Sequence, residues 1–123
     1  MNKPVISFEK YEILSIDYKK LDEPSIEDAN ISTEVSIGIS EQHEAGKVEI
    51  DVSISDPVNQ REINVKVRGL FLIDESLEIE KIKQFLAQNG TAMLYPYVRS
   101  IVSMVSVLDS ETSILLPTIN TTK

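Results

Sequence analysis

The chain has 123 residues, enough for one domain with a core of its own. With 20 acidic against 12 basic residues it carries a formal charge of −8, which excludes the basic surface that nonspecific nucleic-acid binding requires and favours basic partners. It has no cysteine, hence no disulfide and no thiolate metal site, and 41% hydrophobic residues in regular patterns exclude a disordered chain.

The opening residues MNKPVISFEKYE carry charges too early and too often for a secretory leader, so a cytoplasmic protein is expected. Residues 5–19 read as a first strand. Ile6 and Phe8 alternate, Leu14, Ile16 and Tyr18 alternate later, and Tyr11 and Ile13 lie between them on the other parity. Either both faces are partly buried or a bulge shifts the register. The charged stretch 20–29, with Pro24, reads as a loop.

The next two segments alternate strictly. In 30–40, Ile31, Thr33, Val35, Ile37 and Ile39 point one way, with Asn30, Ser32, Glu34, Ser36 and Ser40 opposite. In 48–55, Val48, Ile50, Val52 and Ile54 alternate with Glu49, Asp51, Ser53 and Ser55. Period two over this length predicts half-buried strands. The linker EQHEAGK, with Gly46 as its permissive residue, and DPVNQ at 56–60 read as hairpin connections. A fourth strand, 61–74, sets Ile63, Val65, Val67, Phe71 and Ile73 against Asn64, Lys66 and Arg68. Its polar side turns apolar at Leu70 and Leu72, which must be covered or exposed for a purpose. Gly69 suggests a bulge or a close backbone approach.

A short helix is predicted next. Ser76 reads as its N-cap, Leu77, Ile79, Ile82, Phe85 and Leu86 as its apolar stripe, and Gly90 as a left-handed cap past its end. A long helix then opens at Pro96, whose missing N–H suits a first turn. Its stripe is Val98, Ile101, Val102, Val105 and Leu108, while Ser100, Ser103 and Ser106 step along a second face of small side chains. A helix apolar on one side and small on the other suggests one clamped between two layers, as in an oligomer. From Ala92 to Leu108 the only charge is Arg99, but the run falls short of the roughly 20 apolar residues of a membrane span, so no membrane insertion is expected. The loop LDSETS and an extended tail, ILLPTINTTK, complete an α+β chain: a four-stranded antiparallel sheet followed by a short helix and a long helix.

No catalytic constellation stands out. His43 is the only histidine, in a polar loop, which excludes a two-histidine metal motif. Alternating Glu49 and Asp51 fit a solvated sheet face, and there is no phosphate-binding glycine loop and no nucleophile elbow. Arg99 reads as pairing with an acidic residue across an interface or reaching solvent. No catalytic activity, metal, nucleotide or other cofactor is expected.

The stretch Leu94-Tyr95-Pro96-Tyr97-x-Arg99, followed by Ser103-Met104-Val105-Ser106, resembles the SecB family of protein-export chaperones, in which a short aromatic-Pro-Tyr-x-Arg motif opens the long helix. Gly69-Leu70-Phe71 is similar to that family's Gly-apolar-Phe strand end, and Leu116-Pro117-Thr118-Ile119-Asn120 to its Leu-Pro-Pro-Ile-Asn tail, with Thr in place of a second Pro. The element order agrees over most of the chain. The resemblance implies a homotetramer, a dimer of dimers with its long helices between two eight-stranded sheets. It also implies ATP-independent holding of unfolded or precursor polypeptides in apolar grooves. The matching groove residues are Val35, Ile37 and Ile39, which a half-buried sheet would also explain, and Leu70 and Leu72 join them as client-binding candidates unless the short helix or the C-terminal tail covers them. Tyr97, Arg99, Ser100, Ser103 and Ser106 are the candidates for the oligomer interface.

Two departures bear on function. The chain stops soon after Asn120, without the family's further C-terminal helix and tail, which implies a shallower or differently covered groove. The run Arg61-Glu62-Ile63-Asn64 lacks the acidic and apolar pair used to dock the export motor ATPase. A dedicated chaperone of one client, such as an antitoxin, is therefore the alternative to an export role, and a purely structural oligomer is a third reading.

Overall fold

The computed structural model describes residues 4–23, 25–74, 76–108 and 113–118. Four strands, β1 (Ile6–Lys20), β2 (Asn30–Ile39), β3 (Ala45–Asp56) and β4 (Arg61–Ile73), form one antiparallel sheet in the order β1-β4-β3-β2. One joined helical rod follows: α1 (Ile79–Phe85), a π turn (Leu86–Gly90) and α2 (Thr91–Ser106). The rod lies on one face of the sheet, the two-layer solution for an α+β chain.

Strand parity sorts the side chains. On the helix face Val48, Ile50 and Val52 of β3 lie beside Gly69, Val67 and Val65 of β4, and these apolar side chains are fully buried. The other face carries Glu49, Asp51 and Ser53 beside Arg68, Lys66 and Asn64. The uneven parity of β1 comes from two bulges, between Phe8 and Lys10 and between Ile13 and Ser15. Each extra residue flips the side-chain alternation. The apolar series can therefore pass from Ile6 and Phe8 to Tyr11 and Ile13 to Ile16 and Tyr18, always opposite inward-facing positions of β4.

The glycines serve packing more than turning. In the β2–β3 hairpin the left-handed residue is His43, with φ 57°, rather than Gly46. Gly46 lies inside β3, where a Cβ would come within 2.8 Å of both Ile73 Cδ1 and Leu86 Cδ1. Gly69 makes no bulge against β3, and it is the alternative, close approach, that holds: a Cβ there would meet Leu94 Cδ1 at 3.2 Å. The DPVNQ turn is present, with Gln60 at φ 56°.

The predicted break between two helices is absent. Gly90 has right-handed helical geometry, φ −62° and ψ −44°, and Pro96 sits inside α2 instead of opening it. Gly90 is a contact residue, since a Cβ there would stand 2.9 Å from Val48 Cγ2. Pro96 is tolerated because it and Ala92, the residue whose carbonyl it leaves unbonded, are both on the exposed side, where water can satisfy that oxygen. At the start of α1 the N-cap is Glu78 rather than Ser76, which bonds Asp74 instead. Ile82, Leu86, Gly90, Leu94, Val98, Val102 and Ser106 form a buried row at four-residue steps. Each step overshoots an α turn by about 40°, and the wider π turn takes back part of that drift. Phe85 and Leu108, expected in apolar stripes, are exposed.

The rod's C-terminal end is fastened by a residue the sequence did not single out. Arg61 is fully buried at the start of β4. Its Nε donates to Asp56 Oδ2 at 2.9 Å, and Nη1 donates to the carbonyl of Ser106. Asn59 Nδ2 also donates to that carboxylate oxygen at 3.0 Å. A cation on a last-turn carbonyl satisfies a group the helix cannot, and complements its dipole. Burial alone would lower the pKa of Arg61, but Asp56 and then Tyr18 outweigh it and hold the guanidinium above its ordinary value.

Candidate functional site

The rod covers β3 and β4 and leaves part of the same face of both edge strands open, while Ile6 of β1 is buried. On β2, Val35 pairs with the fully buried Ile50, yet Val35 itself is 43% exposed. Ile31 is exposed too, while Ile37 and Ile39, nearer the α1 end of the rod, are half-buried. Half-burial was expected along the whole strand; Ile31 and Val35 depart from it because α2 does not reach them. On β1, Tyr11, Ile13 and Ile16 are exposed, with Ile13 at 49%. The β1 side is the more aromatic: Tyr97 of α2 stacks on Tyr11 at 4.5 Å between ring centroids and on Phe8 at 5.7 Å. Met93 and Met104 extend this flank of the helix, and Met104 is 68% exposed. The open area of β1 escaped the sequence reading, and its signal was the row of apolar residues that changes parity twice.

The opposite flank of α2 holds the returning segment 113–118. Tyr95 and Arg99 stand two residues either side of Tyr97, about 200° around the helix, and therefore face the β2 side. The Tyr95 hydroxyl donates to the Pro117 carbonyl at 2.8 Å, and Arg99 Nε to the Leu116 carbonyl at 3.0 Å. The Ser103 and Ser113 hydroxyls bond each other at 3.0 Å. Ser106 Oγ accepts from the Ile114 N–H and donates to the Ser103 carbonyl, both at 2.8 Å. Leu116 is fully buried in the core. Of the five residues expected at an oligomer interface, Arg99, Ser103 and Ser106 thus take partners within the chain. Tyr97 and Ser100 are exposed, and Ser100 bonds only the Pro96 carbonyl one turn back, at 3.1 Å. Burial raises the pKa of Tyr95 above 10.0, against a smaller opposing effect of Arg99, so its hydroxyl is a neutral donor. Thr91 Oγ1, on the same flank, is buried and takes no hydrogen bond. The last two residues of the Leu116–Asn120 motif, Ile119 and Asn120, lie outside the described residues.

Leu70 and Leu72 stand on the polar face, away from the rod, and neither α1 nor segment 113–118 covers them. Leu72 is 52% exposed. Leu70 is half-buried, flanked across the strands by Lys10 and Lys47, and lines a shallow hollow of about 290 Å³ with Gly38, Ile39, Ser40, Ala45, Gly46 and Lys47. The five client-binding candidates are therefore divided between two faces, Val35, Ile37 and Ile39 on one and Leu70 and Leu72 on the other. The rest of the polar face is a charge ladder. Arg68 bridges Glu49 at 3.1 Å and Glu12 at 3.7 Å, and Lys66 meets Asp51 at 3.7 Å. Among the described residues no cluster of three or more metal-ligating side chains occurs, and no helix is long and apolar enough to cross a membrane.

No family model matches the chain. An uncharacterized protein of Methanocaldococcus jannaschii, MJ0357, is 36% identical over 58 residues, 47% of this chain; the matched part is 37% of the archaeal protein, so the chain spans well under half the length of the curated relative it matches. Among solved structures, a Streptococcus agalactiae protein of unknown function superimposes with a TM-score of 0.56 at 12% identity, over 92% of this chain and 97% of the other. The Mycobacterium tuberculosis SecB-like chaperone Rv1957, in complex with a ChAD peptide from the HigA1 antitoxin, superimposes with a TM-score of 0.73 at 17% identity, over 94% of this chain and 91% of that one. Sheet, joined helix and their order agree throughout: the chain has the fold of the SecB-like chaperones.

Proposed function

We propose that the protein is a chaperone that holds unfolded or precursor polypeptides without ATP. The observation that carries this reading is the open β2 row, whose Val35 stands directly across from a fully buried residue on the same face. Apolar side chains left partly uncovered along one edge strand, with unpaired main-chain groups beside them, suit a bound chain. Likeness of fold to a chaperone solved in complex with a peptide supports the same reading. Each Leu or Val buried on a client contributes about 1.5–3 kcal/mol, so a few shallow contacts give reversible affinity, and the acidic surface keeps the loaded protein soluble. The open β1 flank, with Tyr97 and the two methionines, is the surface we assign to self-assembly, as a homotetramer in the cytoplasm.

Two client ranges are compatible with this surface. A general role would take precursor proteins and hand them to the export motor ATPase; a dedicated role would guard one client. The antitoxin peptide bound by the mycobacterial chaperone favours the dedicated role. The test is suppression of aggregation of a chemically denatured model protein, with Val35→Ser and Leu72→Ser beside the wild type. Suppression that falls for Val35→Ser with unchanged circular dichroism and unchanged size supports the β2 site. If Leu72→Ser alone fails, the client lies on the polar face. If the wild type suppresses nothing, the general role is wrong, and capture of one antitoxin against capture of the motor ATPase decides what remains. Light scattering that finds only monomer at micromolar concentrations removes the tetramer.

A further inference from the structure

We propose that segment 113–118 is a displaceable strap, occupying a seat for an extended polypeptide whose main-chain readers are Tyr95 and Arg99. The inference rests on the polypeptide-binding reading above and names a further part of that site. The segment forms neither helix nor strand pairing. Its side chains alternate: Ile114 and Leu116 turn inward, while Ser113, Leu115 and Pro117 are exposed, Leu115 at 71%. This is how an extended chain docks in a groove, with alternate side chains in pockets and the backbone held by donors and acceptors.

The polar contacts ask little of the occupant's sequence. Tyr95 and Arg99 donate to the main-chain carbonyls of Pro117 and Leu116, and Ser106 accepts the main-chain N–H of Ile114. Main-chain carbonyls and N–H groups of this kind are present in every polypeptide. The one specific requirement is an apolar side chain for the seat filled by Leu116. The seat is also in the right place, because it flanks α2 on the side of the open β2 row, and the preceding helical turns reach β2 as well. A client strand entering along Val35 and Ile31 would meet the strap next. Displacement exchanges one set of main-chain hydrogen bonds for an equivalent set, so client and strap compete, and the strap keeps an apolar seat covered when no client is bound.

The chain has no cysteine, so a single one placed at the exposed Leu115 takes a unique fluorescent label. The labelled Leu115→Cys protein is titrated with reduced, carboxymethylated lactalbumin, a permanently unfolded client, while anisotropy of labelled lactalbumin measures binding to the unlabelled protein. The expected result is a saturable change at the strap with the same midpoint as binding. A second variant, Leu116→Ser, removes the strap's anchor and should tighten client binding by about threefold or more, since a larger fraction of the protein is then competent to bind. A merely structural Leu116 predicts weaker binding or unfolding with a silent Leu115 probe. Binding by anisotropy with no change at the probe overturns the strap and leaves the chaperone reading standing. No binding to the wild type at all overturns both.

Discussion

β2 and β3 carry nearly the same alternation of apolar and polar residues and pair along their whole length, yet they live in different environments. Val48, Ile50 and Val52 of β3 are fully buried under the rod, and Val35 of β2, cross-strand partner of Ile50, is open. Side-chain pattern decides which face of a strand is apolar. Position relative to the one covering helix decides whether that face is a core or a surface. A single rod about 10 Å wide can shelter roughly two strands spaced near 4.8 Å apart, so a four-stranded sheet under one rod keeps parts of both edges open on the helix side, at Val35 and Ile13 but not at Ile6.

The sharpest way to break the covered half is at its buried charge. Arg61→Ala should leave Asp56 without its cationic partner and the last turn of α2 without its cation, costing about 3–5 kcal/mol, measured as a fall in urea stability. Ile50→Ala against Val35→Ala tests the comparison within one cross-strand pair. The first should cost about 2–5 kcal/mol through the cavity it leaves, and the second clearly less, because its side chain is already 43% exposed. If the two cost the same in the assembled protein, the β2 face is covered in solution by another chain. Glycines give a smaller contrast. Gly46→Ala forces a methyl between Ile73 and Leu86, for about 1–3 kcal/mol. Gly38→Ala on β2 meets only the flexible side chain of Lys47, at Cε and Cγ, and should cost less than the change at Gly46.

The smallest effect belongs to the polar face. Burial alone would raise the pKa of Glu49, but hydrogen bonds from Lys47 and Arg68 outweigh it and hold the carboxyl below its ordinary 4.5. A carboxylate held low in the folded state stabilises above its unfolded pKa, and that contribution disappears as pH falls through the folded value. The loss should be about 0.2–1 kcal/mol for so exposed a cluster. Glu49→Gln should flatten the acid limb of the stability profile by that amount and leave the neutral plateau of client binding unchanged.

Much of the fold was legible in the sequence. Period-two runs located β2, β3 and β4 because parity is a local property. The two bulges of β1 were visible as changes of parity, though only the pairing with β4 decided between bulges and two half-buried faces. The helix boundaries misled for a physical reason. Gly90 and Pro96 are breakers by local propensity, but tertiary contact overrides propensity where a glycine is needed for closeness and a proline faces water. The site was less legible. Val35 could be named as apolar, while its exposure depends on the width of the rod. Arg61 sits in a stretch read for motor docking, and its burial follows from a helix end 45 residues later in the chain. Arg99, Ser103 and Ser106 looked free for a partner because a local pattern cannot show that the chain itself returns to them.

The π turn has a consequence for the direction in which the two flanks of α2 face. A turn closed by i→i+5 bonds holds one residue more than an α turn. It therefore sets the rotational phase of everything after it. Deleting one residue there, such as the exposed Ala87, would restore plain α winding with the phase of α2 kept, whereas winding all five residues as α would rotate α2 by most of one residue's step of about 100°. In that second case Tyr97 would leave Tyr11, and Tyr95 and Arg99 would leave segment 113–118, with no residue on either flank substituted. One extra residue in the rod thus acts as a phase setting that assigns the aromatic flank to β1 and the main-chain-reading flank to β2.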